Sequence, residues 1–111
     1  MIFKRYHIAM IRDGSKIHTR RLWQKPRVKV GNTYCARVNY HQPRRECPLF
    51  VVQDLYQQRL GDMTEEDAWK EGRYTLAQFK GVWKEINGTW DDNQVPWVIV
   101  IKYVGEGSQE V

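Results

Sequence analysis

Residues Trp97, Val98, Ile99, Val100 and Ile101 form the most apolar run of the chain, and four of the five are β-branched. So short a run of such side chains favours a strand over a helix and predicts a central strand. Other segments offer strands of the same kind. Residues 33–39 alternate small or polar with apolar side chains directly after the turn signal Gly31-Asn32, and Leu49-Phe50-Val51-Val52 opens a β-branched stretch toward Leu60. Residues 2–12 have two readings: Ile8 and Ile11 fit a helix face, whereas Ile2-Phe3 fits the start of a strand. We expect a short strand, then a helical turn ending near Asp13-Gly14.

Two helices carry explicit start signals. Thr64 with Asp67 three residues on forms a capping box, and Glu65-Glu66 places negative charge at the positive helix end. This helix is expected to stop at Gly72 as its left-handed C-terminal residue. Thr75 with Gln78 repeats the pattern, and Leu76, Phe79, Val82, Trp83 and Ile86 recur at helical spacing up to Asn87-Gly88. The sum is a small, mostly β domain with short helices, which suggests a barrel or partial barrel.

At 111 residues and 13.3 kDa the chain fits one domain, expected over residues 1–104 with a frayed polar tail over 105–111. Hydrophobic residues make up 41% and charged residues 28%, a balance that excludes disorder. No apolar run approaches the roughly 20 residues that span a bilayer, and the start lacks an apolar stretch of signal-peptide length. Two cysteines, Cys35 and Cys47, are too few for a disulfide scaffold and suit a reducing compartment. The expectation is a soluble cytoplasmic protein with no membrane partner.

Charge is segregated along the chain. Residues 1–48 hold 12 Lys and Arg against Asp13 and Glu46, a net +10, while residues 49–111 carry a net −5. Either the basic half serves an anionic partner such as RNA or a nucleotide, or the two halves face each other in the fold. Charge alone does not decide between these.

The segment richest in chemistry is Asp13-Gly14-Ser15-Lys16-Ile17-His18-Thr19-Arg20-Arg21. On a strand, Thr19 and Arg21 share a face and His18 points the other way, so Lys16 must lie in the preceding turn to reach the same pocket. A converging amine, hydroxyl and guanidinium offer a phosphate or carboxylate grip, or an activated hydroxyl. A plain surface strand would carry the same residue types.

Residues 14–21 match the pattern G-x-K-x-x-T-x-R and resemble the signature of the ASCH superfamily. The resemblance covers nearly the whole chain: the turn at Lys29-Val30-Gly31, the helix start at residues 63–68, Glu71-Gly72, the helix over 75–86 and the closing strand over 97–104 follow the family order. It implies an α+β, PUA-like fold, a small β-barrel of five to six strands with two to three short helices, and RNA-related roles. The chain is similar in size to the superfamily's small amidohydrolases that deacetylate N4-acetylcytidine, though somewhat longer around Arg44-Arg45 and residues 90–93. By that resemblance Thr19 is the nucleophile, Lys16 the base that deprotonates or orients it, and Glu71 a proton relay, a holder of the lysine or the acid that protonates the leaving amine. Gly14, Arg21, Trp23 and Trp97 are expected to bind substrate, a modified pyrimidine nucleoside or RNA, with no cofactor. The alternative is a non-catalytic RNA-binding module, or a ribonuclease, that uses the same pocket with Arg27, Lys29, Arg44 and Arg45.

Five Trp, six Tyr and three Phe suit base stacking. Trp23, Trp90 and Trp97 lie near turns or strand ends and are candidates for it; Trp69 and Trp83 sit on helix faces and are expected in the core. Cys35, His41 and Cys47 are spaced too widely for an ordinary zinc motif and lack a fourth ligand, so no metal is expected.

Overall fold

The computed structural model describes residues 1–107. The chain runs α1 (Arg5–Asp13), β1 (His18–Arg21), β2 (Thr33–Cys35), β3 (Pro48–Gln57), α2 (Glu65–Gly72), α3 (Leu76–Asn87) and β4 (Trp97–Glu106), with single 3-10 turns at Arg44–Glu46 and Leu60–Asp62. The four strands form one antiparallel sheet in the order β1-β4-β3-β2, so the apolar run at residues 97–101 does occupy an interior strand. Polar residues beyond it do not end that strand. Gly105 and Glu106 pair with Leu49 and Pro48, so part of the expected tail is sheet, and residues 108–111 lie outside the described residues.

The expected barrel of five to six strands is not formed. The sheet stays open because its edges β1 and β2 are only four and three residues long and closure needs the two edges to meet. The strand expected over 33–39 ends at Cys35, and Arg37 instead makes a single parallel bridge to Ile2. That bridge is all the strand character of the first residues. From Arg5 onward the chain forms a full helix, α1, whose His7, Ile8 and Ile11 are buried and whose end is capped by Gly14 at φ 81°.

Both capping boxes are closed in α2 and α3. At the end of α2 the left-handed residue is Arg73, at φ 65°, and not Gly72. Gly72 has φ 154°, and a Cβ there would come within 2.9 Å of Met10 Sδ and of the Tyr74 ring. Its role is to let α1 approach the end of α2.

Two apolar clusters hold the layers together. One joins α1 to the sheet through Phe3, Ile8, Ile11, Phe50, Val52, Ile99 and Ile101. The other packs α2 and α3 through Leu60, Met63, Ala68, Phe79 and Trp83. Truncating Ile99 or Ile101 to Ala should cost about 2–5 kcal/mol. Trp90 packs edge-on against Phe79 and Trp83, while Trp69, expected in the core, is half exposed beneath the Arg73 guanidinium.

Candidate functional site

Lys16 lies in the turn between α1 and β1. Its N–H donates to the Met10 carbonyl, and the next N–H, of Ile17, donates to the Lys70 carbonyl on α2. These bonds pin the turn against α2, so the Lys16 side chain runs inward to Glu71. The ammonium donates to the Glu71 carbonyl at 3.0 Å and lies 3.4 Å from its Oε1. Both side chains are buried, at 4% and 2% exposure. Glu71 Oε2 accepts from Arg20 Nη1 at 2.7 Å, and Arg20 Nη2 donates to Gln58 Oε1 at 2.6 Å. Asp67 stands 3.8 Å from the same guanidinium. The result is a buried ionic chain in which one carboxylate serves two cations, the geometry in which a buried charge is tolerated.

Thr19 and Arg21 share a face of β1. Arg21 Nε donates to Thr19 Oγ1 at 3.3 Å, Nη2 donates to the Ile2 carbonyl at 2.8 Å, and the guanidinium lies 4.6 Å from the Phe3 ring centroid. A threonine hydroxyl that accepts from Arg21 keeps its own proton free to donate. Lys16 directs its hydrogen bonds to Glu71 rather than to Thr19.

Lys16, Thr19, Arg20, Arg21 and Glu71 all border one cavity of about 740 Å³, large enough for a nucleoside. Its apolar lining comes from Phe3 and the α3 residues Phe79, Val82, Trp83 and Ile86, with Trp23 also lining it. Trp97 does not line it, and Gly14 borders a smaller cavity of about 320 Å³ that Lys16 also touches. Arg27 stacks over Trp23 with its guanidinium 5.8 Å from the ring centroid. Lys29, Arg44 and Arg45 are exposed and outside the cavity; Arg44 also donates to Cys35 Sγ.

The cavity sets the acidities around it. Burial pulls the Lys16 ammonium below its ordinary value; Glu71 pushes it back up, and Arg21 and Arg20 pull it down again. Burial also lowers Arg21. His7, on α1, is pushed down to about 3, first by burial and then by Lys16, Arg21 and Lys4, so it is neutral near pH 7. Its Nε2 is hydrogen-bonded to the Tyr74 hydroxyl at 2.9 Å, and Tyr74 is pushed up to about 12, chiefly by burial.

Sequence reasoning missed Arg20 and His7. Strand alternation places Arg20 opposite Thr19, but α2 packs against β1 and brings Glu71 to that side as well. His7 had a readable signal: it stands four residues from both Phe3 and Ile11, on the buried face of α1. Among the described residues no group of three His, Cys, Asp or Glu could hold a metal ion, and no helix is long and apolar enough to cross a membrane.

No protein-family model matches the sequence, and no curated protein does. Solved structures resemble the fold, among them the following two. An ASCH domain from Lactobacillus crispatus JV V101 superposes with a TM-score of 0.73 at 14% identity, covering 96% of this chain and 77% of that one. A DUF984 protein from Enterococcus faecalis V583 superposes with a TM-score of 0.62 at 13% identity, covering 87% of this chain and 66% of that one. The first match covers nearly all of the chain, whose open four-stranded sheet and three helices fit that fold. The chain therefore has the PUA-like α+β fold of an ASCH domain.

Proposed function

We propose that the chain is a small amidohydrolase that removes the exocyclic N-acyl group of a modified cytidine such as N4-acetylcytidine. The observation that carries this reading is the Lys16–Glu71 contact, buried at the edge of a nucleoside-sized cavity that Thr19 also lines. Thr19 Oγ1 attacks the acyl carbonyl, and Lys16 in its neutral form takes the hydroxyl proton. The C–N bond then breaks, the proton passes to the exocyclic nitrogen, and cytidine leaves. Water hydrolyses the acyl-Thr19 ester to a carboxylic acid and restores the hydroxyl.

The lowered Lys16 pKa supports its part as base, since an ordinary lysine is almost fully protonated near neutral pH. Glu71, held by two cations, keeps Lys16 in place, a role in better accord with its contacts than proton relay. Closure of the Lys16–Thr19 gap belongs to the substrate complex, where catalytic hydrogen bonds commonly tighten. The α3 wall, with Trp83 and Phe79, supplies the stacking surface for the base. The test is incubation of the pure protein with N4-acetylcytidine and chromatographic detection of cytidine. Turnover no greater than that of a folded Lys16→Ala variant removes the reading.

A second reading, RNA binding without catalysis, is favoured by Arg27 over Trp23, an exposed cation–aromatic pair that continues the cavity outward. It requires salt-sensitive RNA affinity, and neutralising Arg27 or Lys29 should each lower the salt slope by about 1. Affinity indifferent to salt removes it. A ribonuclease would instead show RNA cleavage that Lys16→Ala abolishes.

A further inference from the structure

Several hydrogen-bond donors around the cavity have no acceptor among the described residues. Arg21 uses Nε on Thr19 and one Nη2 hydrogen on Ile2, which leaves both Nη1 hydrogens and the second Nη2 hydrogen without an acceptor among the described residues. Trp83, buried in the α3 lining, has an indole N–H with no partner there either. Charge is unbalanced in the same sense. Lys16 and Arg20 share Glu71, and Asp67 supports Arg20, but among the described residues Arg21 has no carboxylate within 4.0 Å.

Arg21 is half-buried, and an anion that completes its fork there is held more strongly than at an open surface. We infer that Arg21 is an oxyanion-binding subsite of the cavity, and that its free Nη1–Nη2 end seats a carboxylate or phosphate group, whether the phosphate of a nucleotide form of the substrate or the carboxylic acid that hydrolysis releases. The fork geometry suits both, since each offers two coplanar oxygens to parallel N–H donors. Because Nε is taken by Thr19 and one Nη2 hydrogen by Ile2, an anion meets the Nη1–Nη2 end of the guanidinium, and Lys4, whose ammonium is paired to Glu85, is not its partner. Phe3 beneath the guanidinium keeps it flat against the wall, so its remaining N–H groups point as a set.

This inference concerns binding and does not require that any amide be cleaved. The experiment is calorimetric titration of the intact protein with acetate, inorganic phosphate, cytidine 5′-monophosphate and cytidine in chloride buffer, repeated on Arg21→Gln and Arg21→Lys. Saturable binding of acetate alone identifies a carboxylate subsite. Tighter binding of the monophosphate than of cytidine, together with phosphate binding, identifies a phosphate subsite. In either case Arg21→Gln should weaken the anion at least tenfold, with Arg21→Lys between the two. Absence of all three anions from the site, or equal affinity in Arg21→Gln, overturns the inference. Because Arg21 also supports Phe3 and Ile2, the glutamine variant could fail to fold; the guanidinium nitrogen resonances of the wild-type protein then give the answer. They must shift on anion titration, and unchanged resonances at saturating acetate and phosphate overturn the inference equally. A protein that binds the anion without hydrolysing N4-acetylcytidine keeps this subsite and loses the amidohydrolase reading; turnover without anion binding does the reverse.

Discussion

Arg20 Nη1 lies 2.7 Å from Glu71 Oε2, and neither side chain is more than 6% exposed. The other oxygen of that carboxylate faces Lys16, so one buried anion neutralises two buried cations. Removing it leaves Lys16 without a carboxylate and Arg20 with only Asp67, 3.8 Å away. Glu71→Gln should therefore destabilise the fold by about 3–5 kcal/mol, measured by urea unfolding. A loss below about 1 kcal/mol, the value of an exposed pair, would show that the carboxylate is not shared as described.

Arg20 also helps lower the Lys16 pKa. If Lys16 is the base, the rate of N4-acetylcytidine hydrolysis rises with pH, with its inflection below the ordinary lysine value of 10.5. Arg20→Met removes one depressing charge, while burial and Arg21 continue to pull Lys16 down, so the inflection should move to higher pH without reaching the ordinary lysine value. A purely structural role would lower the rate without moving the inflection.

His7 makes stability pH-dependent on the acid side. The folded protein holds it neutral down to about 3, whereas the unfolded chain takes up a proton near 6.5. Between these values the unfolded state binds the extra proton, so stability is complete above about 6.5 and is lost as pH falls toward 3, by at most about 1.4 kcal/mol per pH unit. His18, also lowered by burial, adds in the same direction. His7→Gln can keep a hydrogen bond to Tyr74 and should flatten the slope of unfolding free energy against pH. An unchanged slope would contradict the assignment.

Gly72 tests the approach of α1 to α2. A Cβ would meet Met10 Sδ and the Tyr74 ring at 2.9 Å, with φ at 154°. Gly72→Ala should cost about 1–3 kcal/mol. Because Glu71 precedes it, hydrolysis should fall further than the same loss of stability produced in the distant Phe50–Ile101 cluster, for example by Ile101→Val.

Local signals were the legible ones. Thr64, Asp67, Thr75 and Gln78 announce both helix starts, because a capping box involves only residues three apart. The run at 97–101 announces the interior strand by composition alone. Barrel closure was misread because it depends on how far β1 and β2 extend, and the chain gives no local sign that strand pairing stops at Cys35. Within the site, Lys16, Thr19 and Arg21 were readable from one segment. Glu71 came from family resemblance, and Arg20 was missed, because its partner lies 51 residues away on α2. Residues Phe79, Val82, Trp83 and Ile86, which periodicity marks as a core-facing stripe, turn out to border a cavity. Periodicity distinguishes a buried face from an exposed one, not a filled space from an open one.

The most direct measurement is the initial rate of cytidine release from N4-acetylcytidine by the wild-type protein and by Thr19→Val, which keeps the side-chain shape and removes the hydroxyl. Saturable turnover is predicted in the wild type, with a fall on the order of 10³-fold or more in the variant while its melting transition stays cooperative. Equal rates in the two proteins, or no release by either, would contradict Thr19 as the nucleophile of an amidohydrolase.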